Sequence, residues 1–202
     1  MAAPPPPLTE AERVWAFWFG GSVADSFRSK WFPSSCAAVL AAADAAVEDQ
    51  FGDLFAAALR GATRADVPGR RSAACEAALS PRPRCTHALT RARRSAGELD
   101  GWRSTPHTCV CLIVVLDQFS RHIYRRHGEA AGSALQAAAD AAALSAAEAL
   151  LDAGWEARLS VPEHIFALMP LRHNGALPRL ERAMAQVRAT ARTHAHALHR
   201  SR

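Results

Sequence analysis

"CVCLIVVLDQFSRHIYRR", residues 109–126, decides the fold. It follows Thr105-Pro106, a capping residue and a proline suited to the first helical position, so the stretch opens as a helix. On a projection of about 100° per residue, Ile113, Val114, Asp117, Arg121 and Tyr124 share one face, and Leu112, Leu116, Phe119 and Ile123 share another. Only Cys111, Gln118 and His122 form a narrow remaining stripe. A helix apolar on two sides is the centre of a helical domain, not its surface. Asp117 and Arg121 then lie in the middle of an apolar face. Burying one of these charges alone costs several kcal/mol, so each needs a partner, and the i,i+4 spacing lets them pair. Either the pair fixes how two helices cross, or it lines a cleft for a polar ligand.

Outward from this helix, the chain reads as all-α. Half of it is hydrophobic (50%), alanine dominates, tyrosine occurs once, and β-branched residues are sparse. "TEAE", Thr9 to Glu12, is a capping box that opens a short aromatic helix, Val14 to Phe19, stopped by Gly20-Gly21. A second helix, from about Cys36 to Arg60, carries the stripe Leu40, Ala43, Val47, Phe51, Leu54, Ala58, with Gly61 as its end. The opening stretch is the third, closed by Gly128. A fourth spans roughly Ala130 to Ala153. Pro162 opens a fifth that ends or kinks near Pro170, and a sixth covers about Pro178 to Ala189. About six helices with short connections make antiparallel helical hairpins. The aromatic set Trp15, Trp18, Phe19 and Trp31 is read as core.

Residues 62–95 break the pattern. They hold no aromatic residue and, alanine apart, only Val67, Leu79 and Leu89 as apolar aliphatics. The segment reads as a disordered, Arg-rich insertion, or as a translated intron. A single helical domain over 9–190 is thus expected, interrupted at 62–95 and flanked by a flexible Pro-rich tail (1–8) and a flexible tail (191–202).

The net charge of +5 has one source. Residues 61–95 contain eight arginines against Asp66 and Glu76, a net +6, which leaves −1 for the remainder. The basicity therefore belongs to one segment and argues against the domain as a nucleic-acid binder. Five cysteines (36, 75, 85, 109, 111) are an odd number without a disulfide framework, which points to reduced thiols and a cytoplasmic protein. The apolar run at 109–116 is far short of the roughly 20 residues that a membrane span needs. His194, His196 and His199 stand in a polar tail with no core to fix a metal, and no phosphate loop, nucleophile elbow or Cys-X-X-Cys pattern occurs. No cofactor or metal is expected.

"LDQFSRHIYR" closely resembles the Asp-Gln-Phe-Pro-Arg-Asn-Ile-Tyr-Arg segment of the DUF924 family. Other motifs agree in order: "FWFG" (Phe17 to Gly20), Trp31-Phe32, Asp44 with Phe51, "GELDGW" (Gly97 to Trp102), Asp140 with Leu144, and "EHIFALMPLRH" (Glu163 to His173). The resemblance covers 14–61 and 97–184. It implies a tetratricopeptide-like all-helical array and no assigned activity. Family members commonly continue His-Ser-Glu-Asp where this chain has His173-Asn174-Gly175-Ala176, and they tend to end in a Phe-Gly-Arg-Phe-Pro-His-Arg-Asn-like segment that has no counterpart here.

The candidate ligand-binding residues are Asp117, Gln118, Arg121, His173 and His164. His173 aligns with a family histidine, and His164 stands where the family usually has arginine. The third and fifth helices are candidates to pack together, which would bring carboxylate, guanidinium and imidazole to one place. The first reading of function is a binding or scaffold module, for an unknown protein, peptide or small molecule, with a cleft near Asp117 and Arg121. The rival is a small hydrolase-like enzyme acting on an anionic metabolite with Asp117, Arg121 and His173, and a third, weaker reading is nucleic-acid binding through the arginines of 62–95.

Overall fold

The computed structural model describes residues 7–31, 36–65, 99, 101–127 and 129–200. All regular structure among these residues is helical. α1 is Glu10–Phe19, and α2 is Val23–Ser26 running into a wide π turn, Phe27–Trp31. α3 is Ala37–Ala65. After a short 3₁₀ turn, Gly101–Ser104, the central helix α4 comprises Pro106–Ile113, a π-helical segment Val114–Phe119, and Ser120–His127. α5 is Glu129–Asp152, α6 is Val161–Asn174 and α7 is Leu177–Arg200. An all-α domain of about six helices is what the sequence leads one to expect, and seven are described.

Local chemistry accounts for most starts. The Thr9 hydroxyl accepts from the Glu12 backbone N–H at 3.3 Å, while the Glu12 carboxylate accepts from the Thr9 N–H at 2.7 Å. This closes the expected capping box. Thr105 caps α4 through the Thr108 N–H at 3.3 Å, with Pro106 behind it as anticipated. The ends are harder to read. α3 passes through Gly61 to Ala65, because one glycine inside a helix costs only about 1 kcal/mol against alanine. α6 runs through Pro170 and stops at Gly175, whose φ of 72° is a left-handed cap. α7 extends past Ala189 to Arg200. Of the expected insertion, residues 62–65 continue α3, and the rest lies outside the described residues.

α4 packs against α1, α3, α5 and α6. That explains its two apolar sides: Val110, Ile113, Val114, Val115, Leu116 and Phe119 are all completely buried. Contacts from Cys109 to Ala146, Arg121 to Asp140 and Ser120 to Gln136 run in opposite chain directions, so α4 and α5 form an antiparallel hairpin. α6 and α7 form another, tied by His164 to Thr190 and Asn174 to Arg179.

The aromatic hub is Trp18, fully buried, with its ring 5.5 Å from Phe119 and 5.4 Å from Phe166, both edge-to-face. Phe51 approaches Phe119 at 4.9 Å. Phe19 and Trp31 pack partly buried around this hub. Trp15 does not belong to it. Its side of α1 faces outward, and the residue is 43% exposed. Among the described residues no helix is long and apolar enough to cross a membrane.

Candidate functional site

Asp117 lies in the π segment of α4, completely buried. Its Oδ1 receives the Arg121 guanidinium at 3.3 Å and the His173 Nδ1 at 2.8 Å, and its Oδ2 accepts from the Gln118 amide. The local pair foreseen from the i,i+4 spacing therefore forms, and Gln118 and His173 join it. Three further groups complete the cluster. Arg121 donates to Asp140 Oδ1 on α5 at 2.8 Å, the Gln136 amide donates to the same oxygen at 2.8 Å, and Gln136 also reaches the Ser120 hydroxyl at 3.0 Å. Asp140 and Gln136 were not among the sequence-derived candidates. Both lie one helix away, and only their i,i+4 relation on α5 hinted at a common face.

The cluster grades from closed to open. The Asp117 side chain is 1% exposed, that of His173 27%, Arg121 31% and Asp140 38%. Two features keep it from being fully satisfied. The Arg121 Nε is buried with no partner among the described residues. And His173 Nδ1 lies 3.0 Å from the Arg121 donor as well as 2.8 Å from the Asp117 acceptor. One ring nitrogen cannot accept from arginine and donate to aspartate at once, so only one of the two contacts can be a hydrogen bond at a time.

His164 does not join the cluster. It stands nine residues before His173 on α6, about 13 Å along the axis, and its Nδ1 meets the Thr190 hydroxyl of α7 at 3.0 Å. Its side chain serves the α6–α7 hairpin. The expectation that both histidines converge on Asp117 fails because a separation of about two and a half turns places them on different neighbours.

A second buried charge centre ties α4 to α3. Asp44 accepts from His122 Nδ1 at 2.7 Å, and the Arg125 guanidinium lies 3.4 Å from its other oxygen. Burial pushes His122 below the ordinary histidine value, with the Asp44 hydrogen bond opposing. Burial lowers His164 likewise, against the nearby Glu156. Both rings are neutral in the fold at neutral pH, whereas unfolded histidines take up protons below about 6.5. The unfolded state therefore binds more protons as the pH drops. The stabilisation is complete above pH ~6.5 and is lost as the pH falls toward the depressed folded values, by less than about 1.4 kcal/mol per pH unit for each ring. A urea-unfolding series should show the midpoint falling between pH 7 and 5, with a shallower fall for His164→Gln. Parallel curves for that variant and the unaltered chain would show that His164 is not involved.

The third polar centre surrounds Glu163, which is 2% exposed. Its Oε1 accepts from the Trp15 indole at 3.0 Å and lies 2.7 Å from His107 Nδ1. Its Oε2 accepts from the Ser160 N–H at 2.9 Å and hydroxyl at 2.6 Å. Burial alone would raise Glu163, but the hydrogen bonds from Ser160, His107 and Trp15 outweigh it and hold the carboxyl below its ordinary value. A cavity of about 360 Å³ opens here, lined by Ala11, Glu12, Trp15, His107, Thr108, Cys111, Ser160 and Glu163. It is a different place from the Asp117 cluster, near which the cleft was expected. No property of the sequence pattern announced it, because its walls come from α1, the start of α4 and the start of α6.

Among the described residues no group of three or more His, Cys, Asp or Glu side chains is placed to hold a metal ion. The side chains of His194, His196 and His199 lie outside the described residues.

No curated protein and no solved structure matches the chain. The sequence profile of one family, described as "Bacterial protein of unknown function (DUF924)", matches residues 14–201. The match runs across 62–95 and past residue 184, where the motif resemblance stopped. With Asp117, Gln118, Phe119 and Arg121 all inside that span, the chain belongs to the DUF924 family.

Proposed function

We propose that the chain is a binding protein whose ligand site is the cluster of Asp117, Gln118, Arg121, Asp140 and His173. The observation that carries this reading is the convergence of these side chains, from three helices, on one partly open point of an otherwise buried helix. A purely structural ion pair needs neither a buried Arg121 N–H without a partner nor an imidazole contested by donor and acceptor. An unsatisfied buried donor costs roughly 1–3 kcal/mol, which an acceptor atom of a ligand would recover. π-helical turns, such as the one carrying Asp117, are themselves frequent at functional sites.

Charge narrows the ligand class. Two carboxylates, Asp117 and Asp140, face one guanidinium. An anion that approached Arg121 would meet the repulsion of both carboxylates. A neutral polar or cationic small molecule that offers one acceptor oxygen fits better. In this reading the helical hairpins form the tetratricopeptide-like scaffold around the site. The free thiols of Cys36, Cys109 and Cys111 suit a cytoplasmic setting.

A thermal-shift screen of small polar metabolites on the purified protein tests the reading. At a ligand concentration about 100 times Kd, binding adds ~2.7 kcal/mol, an upward shift of several degrees. The same compound should leave Arg121→Ala unmoved. If no compound shifts the intact chain, the binding reading is wrong.

One observation favours an enzyme as the second reading. With Nδ1 held by Asp117 at 2.8 Å, His173 in its neutral form keeps Nε2 as the basic nitrogen, the arrangement a general base requires. Turnover of an ester or phosphoester by the intact chain, abolished in His173→Asn, would establish it.

A further inference from the structure

The Glu163 cavity is separate from the cluster, and its chemistry is specific enough to name an occupant. We propose that it binds a quaternary ammonium group.

Three properties of the cavity lead there. The first is sign. Glu163 and Glu12 both line it, and the hydrogen bonds to Glu163 hold that carboxylate in its charged form although it is almost fully buried. The second is the saturation of Glu163. A carboxylate has about four lone-pair sites, and here they face Trp15, His107, and the Ser160 N–H and hydroxyl. A primary ammonium brings three N–H donors that need acceptors; Glu163 has none left to offer, and Glu12, one of whose oxygens already takes the Thr9 N–H and hydroxyl, cannot serve all three. A quaternary ammonium brings positive charge without donors, so it gains the attraction and leaves no hydrogen bond unmade. The third is the wall. Ala11, Trp15 and Cys111 are apolar or soft, and the Trp15 indole, 43% exposed, is the ring type that best attracts an ammonium across its face. At about 360 Å³ the cavity lies within the size range of small-molecule sites.

Covalent chemistry has no part in this site. Burial, with the Glu163 charge, pushes the Cys111 thiol up to about 12, so it stays protonated, and its Sγ is spent on the Ala11 carbonyl at 3.5 Å.

The test is a titration of the full chain at pH 8, above the ordinary histidine range, with tetramethylammonium chloride. It is followed by the shift of the Trp15 indole N–H resonance, assigned by its absence in Trp15→Leu. Methylammonium chloride and tert-butanol, a neutral molecule of similar shape, are run beside it. A saturable shift with tetramethylammonium, at least about tenfold weaker with either comparison compound, is the expected result. Glu163→Gln keeps the side-chain length that a capping box accepts at this position. It should weaken tetramethylammonium binding about tenfold while its circular dichroism spectrum stays unchanged. Trp15→Leu, read by calorimetry, should weaken it as well. Equal binding of tert-butanol would make the cavity merely apolar and overturn the proposal. Tighter binding of methylammonium would overturn the preference for a quaternary group, and no saturable shift would overturn the site altogether.

Discussion

Asp117→Ala should lower the free energy of unfolding by about 3 kcal/mol, at the low end of the range for breaking a buried ion pair. At about 2–4 °C per kcal/mol for a domain of this size, that is a fall of roughly 6–12 °C in Tm. The carboxylate is completely buried and holds Gln118, Arg121 and His173 together, so its removal leaves three hydrogen-bonding groups without their common acceptor. Arg121 softens the loss, since it is 31% exposed and keeps Asp140 at 2.8 Å. Asp117→Asn preserves shape and one acceptor oxygen and should fall between the variant and the intact chain. A Tm unchanged within about 1 °C for Asp117→Ala would mean that the cluster contributes nothing to the fold.

Trp18→Ala should be the more damaging change, at about 3–5 kcal/mol, enough to cost ~10 °C or more in Tm. Trp18 is completely buried and meets Phe17, Phe119, His122 and Phe166, so truncation opens a void where α1, α4 and α6 meet. Its backbone carbonyl also accepts from the Trp31 indole at 3.0 Å, and loosening α1 would disturb that tie to α2. Trp15→Ala, three residues earlier on the same helix, should cost less than about 1.5 kcal/mol, because that ring is 43% exposed and makes one indole hydrogen bond. Thermal melts of the two variants side by side give the decision. Equal losses would contradict the division of α1 into a buried and an open side.

That division also shows what the sequence could and could not tell. The helices were legible because capping chemistry and three- to four-residue apolar steps are local. Thr9 with Glu12 and Thr105 with Pro106 announce their starts within a few residues. Asp117 with Arg121 was legible for the same reason, a single turn apart on one helix. Trp15 was misjudged because aromatic content says nothing about which side of a ten-residue helix is covered until its neighbours are placed. α3 continues past Gly61 and α6 past Pro170, since a single glycine or proline is a local cost that the rest of a helix can outweigh.

The polar centres were less legible. Asp140 reaches Arg121 from 19 residues away, His173 reaches Asp117 from 56, and Trp15 reaches Glu163 from 148. No periodicity spans such distances, and only the packing of α4 at the centre brings them together. The family motif placed Asp140 on the fourth helix without saying what it faced. His164 shows the converse error, in which residues close in sequence on one helix serve different neighbours.

The π-helical segment Val114–Phe119 has a consequence for chain length. A widened turn accommodates one more residue than a regular helix would over the same rise. Upstream of it, Cys109 is set against α5; downstream, Arg121 and His122 are set against Asp140 and Asp44. Deleting one residue from the segment would let it close into regular helix with the downstream half still in phase, whereas a deletion in a regular turn of α4 would turn one half by about 100° relative to the other. That second deletion would part Arg121 from Asp140 and His122 from Asp44 together, although none of the four had been altered. The segment is thus a slack turn in the middle of α4, and it makes this stretch more tolerant of a single deletion than the regular turns on either side.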